Sequence, residues 1–126
     1  MEKKGKLLIV EDDESTINIY KYALKKYFEI TAARTSEEFH ALLENEKYSL
    51  FIMDLSLRGS TSDGIDLVQE LRKIDTYKRT PIFVITGHAL NFEEQRSIDA
   101  GATGFMRKPI DLKKLIDDAA VHAIAG

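Results

Sequence analysis

Four acidic residues, Glu11-Asp12-Asp13-Glu14, follow the first apolar run of the chain, and another, Asp54, directly follows the run Leu50-Phe51-Ile52-Met53. Two further runs end in different chemistry: Ile82-Phe83-Val84-Ile85 leads into Thr86, and Gly104-Phe105-Met106 leads through Arg107 into Lys108. Carboxylates gathered in one crevice need a cation. Oxygen donors suit a hard divalent ion, and Mg²⁺ is usually held by one or two carboxylates with water and a phosphate oxygen. A carboxylate beside such an ion can attack a phosphoryl donor if the charge on the transferred oxygens is offset. In that reading the acidic run supplies metal ligands, Asp54 the nucleophile, Thr86 a hydroxyl donor and Lys108 an ammonium.

Each residue also has a plainer explanation. Acids are favoured at a helix N-terminus by the macrodipole, and that account is adopted for Asp13 and Glu14. Asp54 can cap a loop, Thr86 before Gly87 can end a strand, and Lys108 before Pro109 can be a surface lysine in a turn. The ordered set carries the chemical reading, because the plain accounts do not explain why these types stand at successive strand ends. His40, His88 and His122 lack metal-ligand spacing and read as surface or packing residues.

The elements that position the set follow from the hydrophobic pattern. Short apolar runs alternate with stretches of helical period, as βαβ units with a parallel sheet require. The remaining run is Ile30 to Ala33, which makes five strand–helix pairs. The first, third and fourth runs are continuously apolar, as strands buried on both faces should be. Thr31 and Arg34 mark the second run as an edge, and Gly104 and Arg107 mark the fifth. Those edges fit a doubly wound (βα)5 sheet in the order 2-1-3-4-5, with right-handed crossovers. Its switch point lies between strands one and three, so the crevice at the strands' carboxyl ends gathers the acidic run and Asp54.

Helix signals support this layout. Thr35 with Glu38 reads as a capping box ahead of Phe39, Leu42 and Leu43, and Asn91 with Glu94 is a second cap-like pair. Helical spacing links Ile17, Leu24 and Phe28; Val68, Leu71 and Ile74; and Leu112, Leu115, Ile116 and Ala119. Gly101 reads as a helix stop and Asp111 as a helix start.

Bulk properties set limits. A chain of 126 residues with 44% hydrophobic and 31% charged residues predicts one soluble domain, residues 1–126 with a core of about 6–124. The lack of cysteine fits a cytoplasmic setting. Only four apolar residues follow the basic start, far short of a signal-peptide core or membrane span. A net charge of −3 without an arginine-lysine stripe argues against direct nucleic-acid binding.

The set as a whole resembles the receiver domain of bacterial response regulators, from about Lys6 to the last helix. Leu7-Leu8-Ile9-Val10-Glu11-Asp12-Asp13 is similar to that family's first strand and acidic pair, Ile52-Met53-Asp54-Leu55 to its phosphoacceptor segment, Thr86-Gly87 to its switch hydroxyl and small residue, and Gly101 to Pro109 to its fifth-strand motif. The resemblance implies a flavodoxin-like sandwich that binds Mg²⁺ through Glu11, Asp12, Asp54 and the backbone carbonyl of Ser56. It implies phosphorylation of Asp54, with Lys108 contacting the phosphate, Thr86 and Phe105 as switch residues, Ser56 and His88 tuning dephosphorylation, and a cis Lys108–Pro109 bond. Implied partners are a histidine kinase or phosphotransfer protein, a downstream protein or output domain, and a second copy through the helix 4–strand 5–helix 5 face. No enzymatic role is implied beyond self-phosphorylation and self-dephosphorylation.

The departures fall in one loop: Arg58 stands where the family usually has proline, and Asp63-Gly64 comes late, which implies a two-residue insertion within Gly59 to Ser62. Three other functions would make different demands on these residues. A phosphatase or phosphotransferase using Asp54 would want a second acid at the position of Ser56. A flavodoxin-like cofactor binder would need a phosphate cradle where Glu11 to Glu14 repel phosphate. A scaffold that never meets phosphate would have little reason to keep the whole set.

Overall fold

In the computed structural model the described residues are 4–55, 63–87 and 91–123, with the side chains of Asn91 and Phe92 left aside. Strand β1 (Gly5–Val10) is followed by α1 (Glu14–Leu24), β2 (Phe28–Ala33), α2 (Ser36–Asn45), β3 (Leu50–Met53) and α3 (Gly64–Lys73). A short 3₁₀ turn (Asp75–Tyr77) then leads to β4 (Ile82–Thr86), α4 (Asn91–Ala100), β5 (Gly104–Arg107) and α5 (Leu112–Ala120). The five strands are parallel in the order β2-β1-β3-β4-β5, as the edge signals predict.

Successive strand side chains point to opposite faces, and the apolar runs therefore feed two cores. Leu8, Val10, Phe51, Met53 and Val84 pack with Phe39 of α2 and Leu67, Val68 and Leu71 of α3. Leu7, Ile9, Leu50, Ile52, Phe83 and Ile85 pack with Ile17, Tyr20 and Leu24 of α1 and Leu115 and Ala119 of α5. Residues in β3 and β4 are buried throughout, whereas β5 is half-buried to exposed along its length. A central sheet clamped on both faces gives the site at its carboxyl edge a rigid base. Among the described residues no helix is long and apolar enough to cross a membrane.

Several helix ends match expectation and three details differ. Asp13 caps α1 by accepting the Thr16 N–H, and Asp111 caps α5 by accepting the Lys114 N–H. Gly101 follows α4 with φ +118°, a conformation that side chains with a Cβ disfavour. Thr35 caps α2, but the Glu38 carboxylate accepts from the Arg34 N–H at 2.9 Å, one residue earlier than a capping box requires. A reciprocal box occurs instead at α3, between Asp63 and Asp66. Asn91 is the first residue of α4 rather than the residue before it. Phe28, placed by spacing on the first helix, opens β2 and is buried there, because the chain turns out of α1 through Lys25 to Tyr27.

Candidate functional site

Sheet register carries the acidic residues to one place. Val10 pairs with Met53 at the ends of β1 and β3, and the ladder continues one step beyond, with the Asp54 N–H donating to the Val10 carbonyl at 2.9 Å. Glu11 is held on the other side by its own N–H to the Ala33 carbonyl at 3.0 Å. Thr86 pairs with Arg107 across β4 and β5, and the Lys108 N–H then reaches the Thr86 carbonyl at 2.9 Å. All four strand ends therefore meet along the carboxyl edge, with β3 flanked by β1 and β4.

Carboxylate oxygens of Glu11, Asp12 and Asp54 lie within 4.8 Å of one another. Glu11 is 1% exposed and Asp54 7%, so water screens them poorly, while Asp12 is half-buried at the rim. Lys108 Nζ donates to Glu11 Oε1 at 2.7 Å and stands 3.8 Å from Asp54 Oδ2. The second Glu11 oxygen accepts the N–H groups of Asp12 and Asp13, at 3.1 and 3.2 Å. Burial nevertheless outweighs these donors and pushes the Glu11 carboxyl up to about 7, with the Lys108 hydrogen bond opposing and the Asp54 charge assisting. Burial works against the Lys108 ammonium, but the Glu11 hydrogen bond and the charges of Asp54, Glu11 and Asp13 prevail and raise its pKa.

Three convergent carboxylates, two of them deeply buried, form an all-oxygen donor set with excess negative charge. That chemistry fits a hard divalent cation with room for water or phosphate oxygens, and excludes a soft thiolate metal. Thr86 is buried at 1% exposure at the end of β4. Phe105 is half-buried, on the strand beside Thr86, and pairs in register with Val84, whose side chain shares its face with that of Thr86. Ser56, His88 and the expected insertion from Gly59 to Ser62 lie outside the described residues. His40 bonds Glu70 at 2.8 Å on the surface and His122 packs its ring against Phe83.

Two contributors escape sequence reasoning. A Cβ built on Gly64 would come within 2.8 Å of the Asp54 carbonyl carbon and of Leu55 Cα, and closer still to the Asp54 carbonyl oxygen. The start of α3 thus presses on the backbone that carries Asp54, and the Gly64 N–H ties it there by donating to the Leu55 carbonyl at 3.0 Å. Arg72 donates to the carbonyls of Gly101, Tyr77 and Thr80 at 2.9, 2.7 and 2.7 Å, and so braces α3 against the turn into β5. The only local signal was the glycine behind a capping aspartate.

Comparison with known proteins agrees with this geometry. The pattern of the response regulator receiver domain matches residues 7–120. The chain is 32% identical over 111 residues to protein PetR of Rhodobacter capsulatus, covering 87% of this chain and 45% of PetR. It is 37% identical over 114 residues to hybrid signal transduction histidine kinase G of Dictyostelium discoideum, covering 87% of this chain and 3% of the kinase. A CheY-like response regulator receiver domain protein from Methanospirillum hungatei superposes with a TM-score of 0.83 at 26% identity, covering 92% of this chain and 90% of that one. The chain belongs to the response regulator receiver domain family of two-component signal transduction. It spans less than half the length of the curated relatives it matches first.

Proposed function

We propose that the domain accepts one phosphoryl group on the Asp54 carboxylate, with Mg²⁺ bound, from a phosphohistidine of a histidine kinase or phosphotransfer protein. The observation that carries this reading is the meeting of Glu11, Asp12 and Asp54 within 4.8 Å, with the Lys108 ammonium between Glu11 and Asp54. Glu11, Asp12, Asp54 and the backbone carbonyl of Ser56 would hold the ion, and Mg²⁺ supplies charge neutralisation for the transferred oxygens. A carboxylate oxygen of Asp54 forms the new P–O bond as the P–N bond to the donor imidazole breaks, and the leaving ring keeps the electron pair. Lys108 is within reach of the phosphoryl oxygens and offsets their charge. Ser56 and His88 set how long the acyl phosphate lasts, and chemistry stops at this self-phosphorylation and self-dephosphorylation.

The output follows from packing. An aspartyl phosphate adds charge and acceptor oxygens, and the Thr86 hydroxyl is the nearby donor on β4. As Thr86 turns toward the phosphoryl group it leaves space on the face it shares with Phe105, and a close-packed interior favours a discrete movement of the ring inward. The surface of α4, β5 and α5 then changes, to be read by a downstream protein, an output domain or a second copy of this domain. The setting is cytoplasmic, with no direct role for nucleic acid or membrane. Acetyl phosphate with Mg²⁺ tests the acceptor: one acid-stable, base-labile phosphate is expected on the wild type and none on Asp54→Asn. Undiminished labelling of that variant would place the acceptor elsewhere.

A further inference from the structure

Arg107 ends β5 beside Lys108 and makes two contacts that the phosphoryl chemistry does not use. Its Nη1 donates to Glu94 Oε1 in the first turn of α4 at 3.2 Å, and its guanidinium carbon lies 5.2 Å from the centre of the Phe105 ring. Arg107 and Phe105 are two apart on one strand and share a face of the sheet. A single side chain therefore ties α4 to the half-buried ring at the border of the core.

Both partners of the ion pair are about half exposed, 46% for Arg107 and 50% for Glu94, so neither contact contributes much to holding the fold together. Their placement is better suited to biasing a small equilibrium. An inward movement of the Phe105 ring must either leave the guanidinium or draw Arg107 after it and away from Glu94. Either way one contact of the resting arrangement is lost.

We propose that Arg107, anchored by Glu94, is a positioning residue that holds the Phe105 ring in its resting place and so sets how readily the domain takes up the phosphorylated arrangement. The proposal rests on the Thr86–Phe105 coupling described above. Because one such exposed contact is lost whichever way the ring moves, the pair of contacts biases the equilibrium by roughly two- to fivefold. A plain charge effect would look different. Arg107 is a cation near an anion-binding site, so removing its charge would weaken anion binding, while removing the charge of Glu94 would strengthen it. Release of the ring tightens binding in both cases.

The test is a titration of the full chain with beryllofluoride, a phosphoryl mimic, in the presence of Mg²⁺, following amide signals. Wild type is compared with Glu94→Gln, Arg107→Gln, the double variant and Arg107→Lys. Glu94→Gln and Arg107→Gln should each tighten binding, Arg107→Gln by roughly two- to fivefold. The double variant should gain nothing over Arg107→Gln, and Arg107→Lys should lie closer to wild type. Opposite signs in the two single variants, or affinities all within about 1.5-fold of wild type, would overturn the proposal. If wild type itself takes up no beryllofluoride, the phosphoacceptor reading fails first and the positioning role falls with it, an outcome distinct from unchanged affinities.

Discussion

Gly64→Ala should damage the proposed phosphoacceptor site from behind. The new Cβ would stand 2.8 Å from the Asp54 carbonyl carbon and from Leu55 Cα, where carbon atoms normally sit about 3.5–4.0 Å apart. The turn must therefore open by roughly 1 Å, and the atoms in the way are backbone, which cannot rotate aside. Overpacking of this kind costs about 1–3 kcal/mol. The larger effect falls on chemistry, since displacement of a reacting group by about 1 Å can cost on the order of a hundredfold in rate. Gly104→Ala is the control: its Cβ would meet the Phe83 ring at 3.6 Å, an ordinary contact. Urea unfolding and the initial rate of labelling by acetyl phosphate should be measured on both variants. A Gly64→Ala protein as stable and as quickly labelled as Gly104→Ala would refute the claim that the start of α3 fixes Asp54.

Three further outcomes are expected. The Glu11 carboxyl is raised from 4.5 to about 7, first by burial, so the folded metal-free protein retains a proton that the unfolded chain has released between those values. Its stability should fall as pH rises through that window, while Mg²⁺, which must displace the proton, should bind more tightly as pH rises and level off above about 7; calorimetry in buffers of different ionisation enthalpy would detect the released proton. Arg72→Met should lose about 2–4 kcal/mol in urea unfolding, because three carbonyls lose a charged donor. Thr86→Ala should still bind beryllofluoride but show much smaller amide changes over residues 93–100 and 105–115; full-sized changes there would break the link from hydroxyl to ring.

Much of this was legible in the sequence because it depends on local pattern. Continuous apolar runs marked β1, β3 and β4 as central, and Arg34 and Gly104 marked the edges, which was enough to order the sheet and to bring Glu11, Asp12 and Asp54 together. Helical spacing alone cannot see where a helix stops: Phe28 lies four residues after Leu24 but belongs to β2, since the Tyr27 N–H closes a turn on the Leu24 carbonyl. The spacing of Glu38 from Thr35 likewise suits one half of a box, although its carboxylate finds the Arg34 N–H. The contacts of Gly64, Arg72 and Arg107 were illegible for a different reason. Apart from the contact of Arg107 with the Phe105 ring on its own strand, they are made with backbone or side chains on other elements, and no property of those three residues announces the partner. The same holds for the Lys108–Glu11 ion pair, which joins residues 97 positions apart.

The most direct test of the central claim is to identify the residue that carries the phosphate. The domain would be phosphorylated with acetyl phosphate and Mg²⁺, the acyl phosphate reduced with borohydride, which turns an aspartyl phosphate into homoserine, and the product mapped by tandem mass spectrometry. Conversion at position 54 alone, dependent on Mg²⁺, is the predicted result. Conversion at Asp12 or another acid, or equal labelling without the ion, would contradict the account.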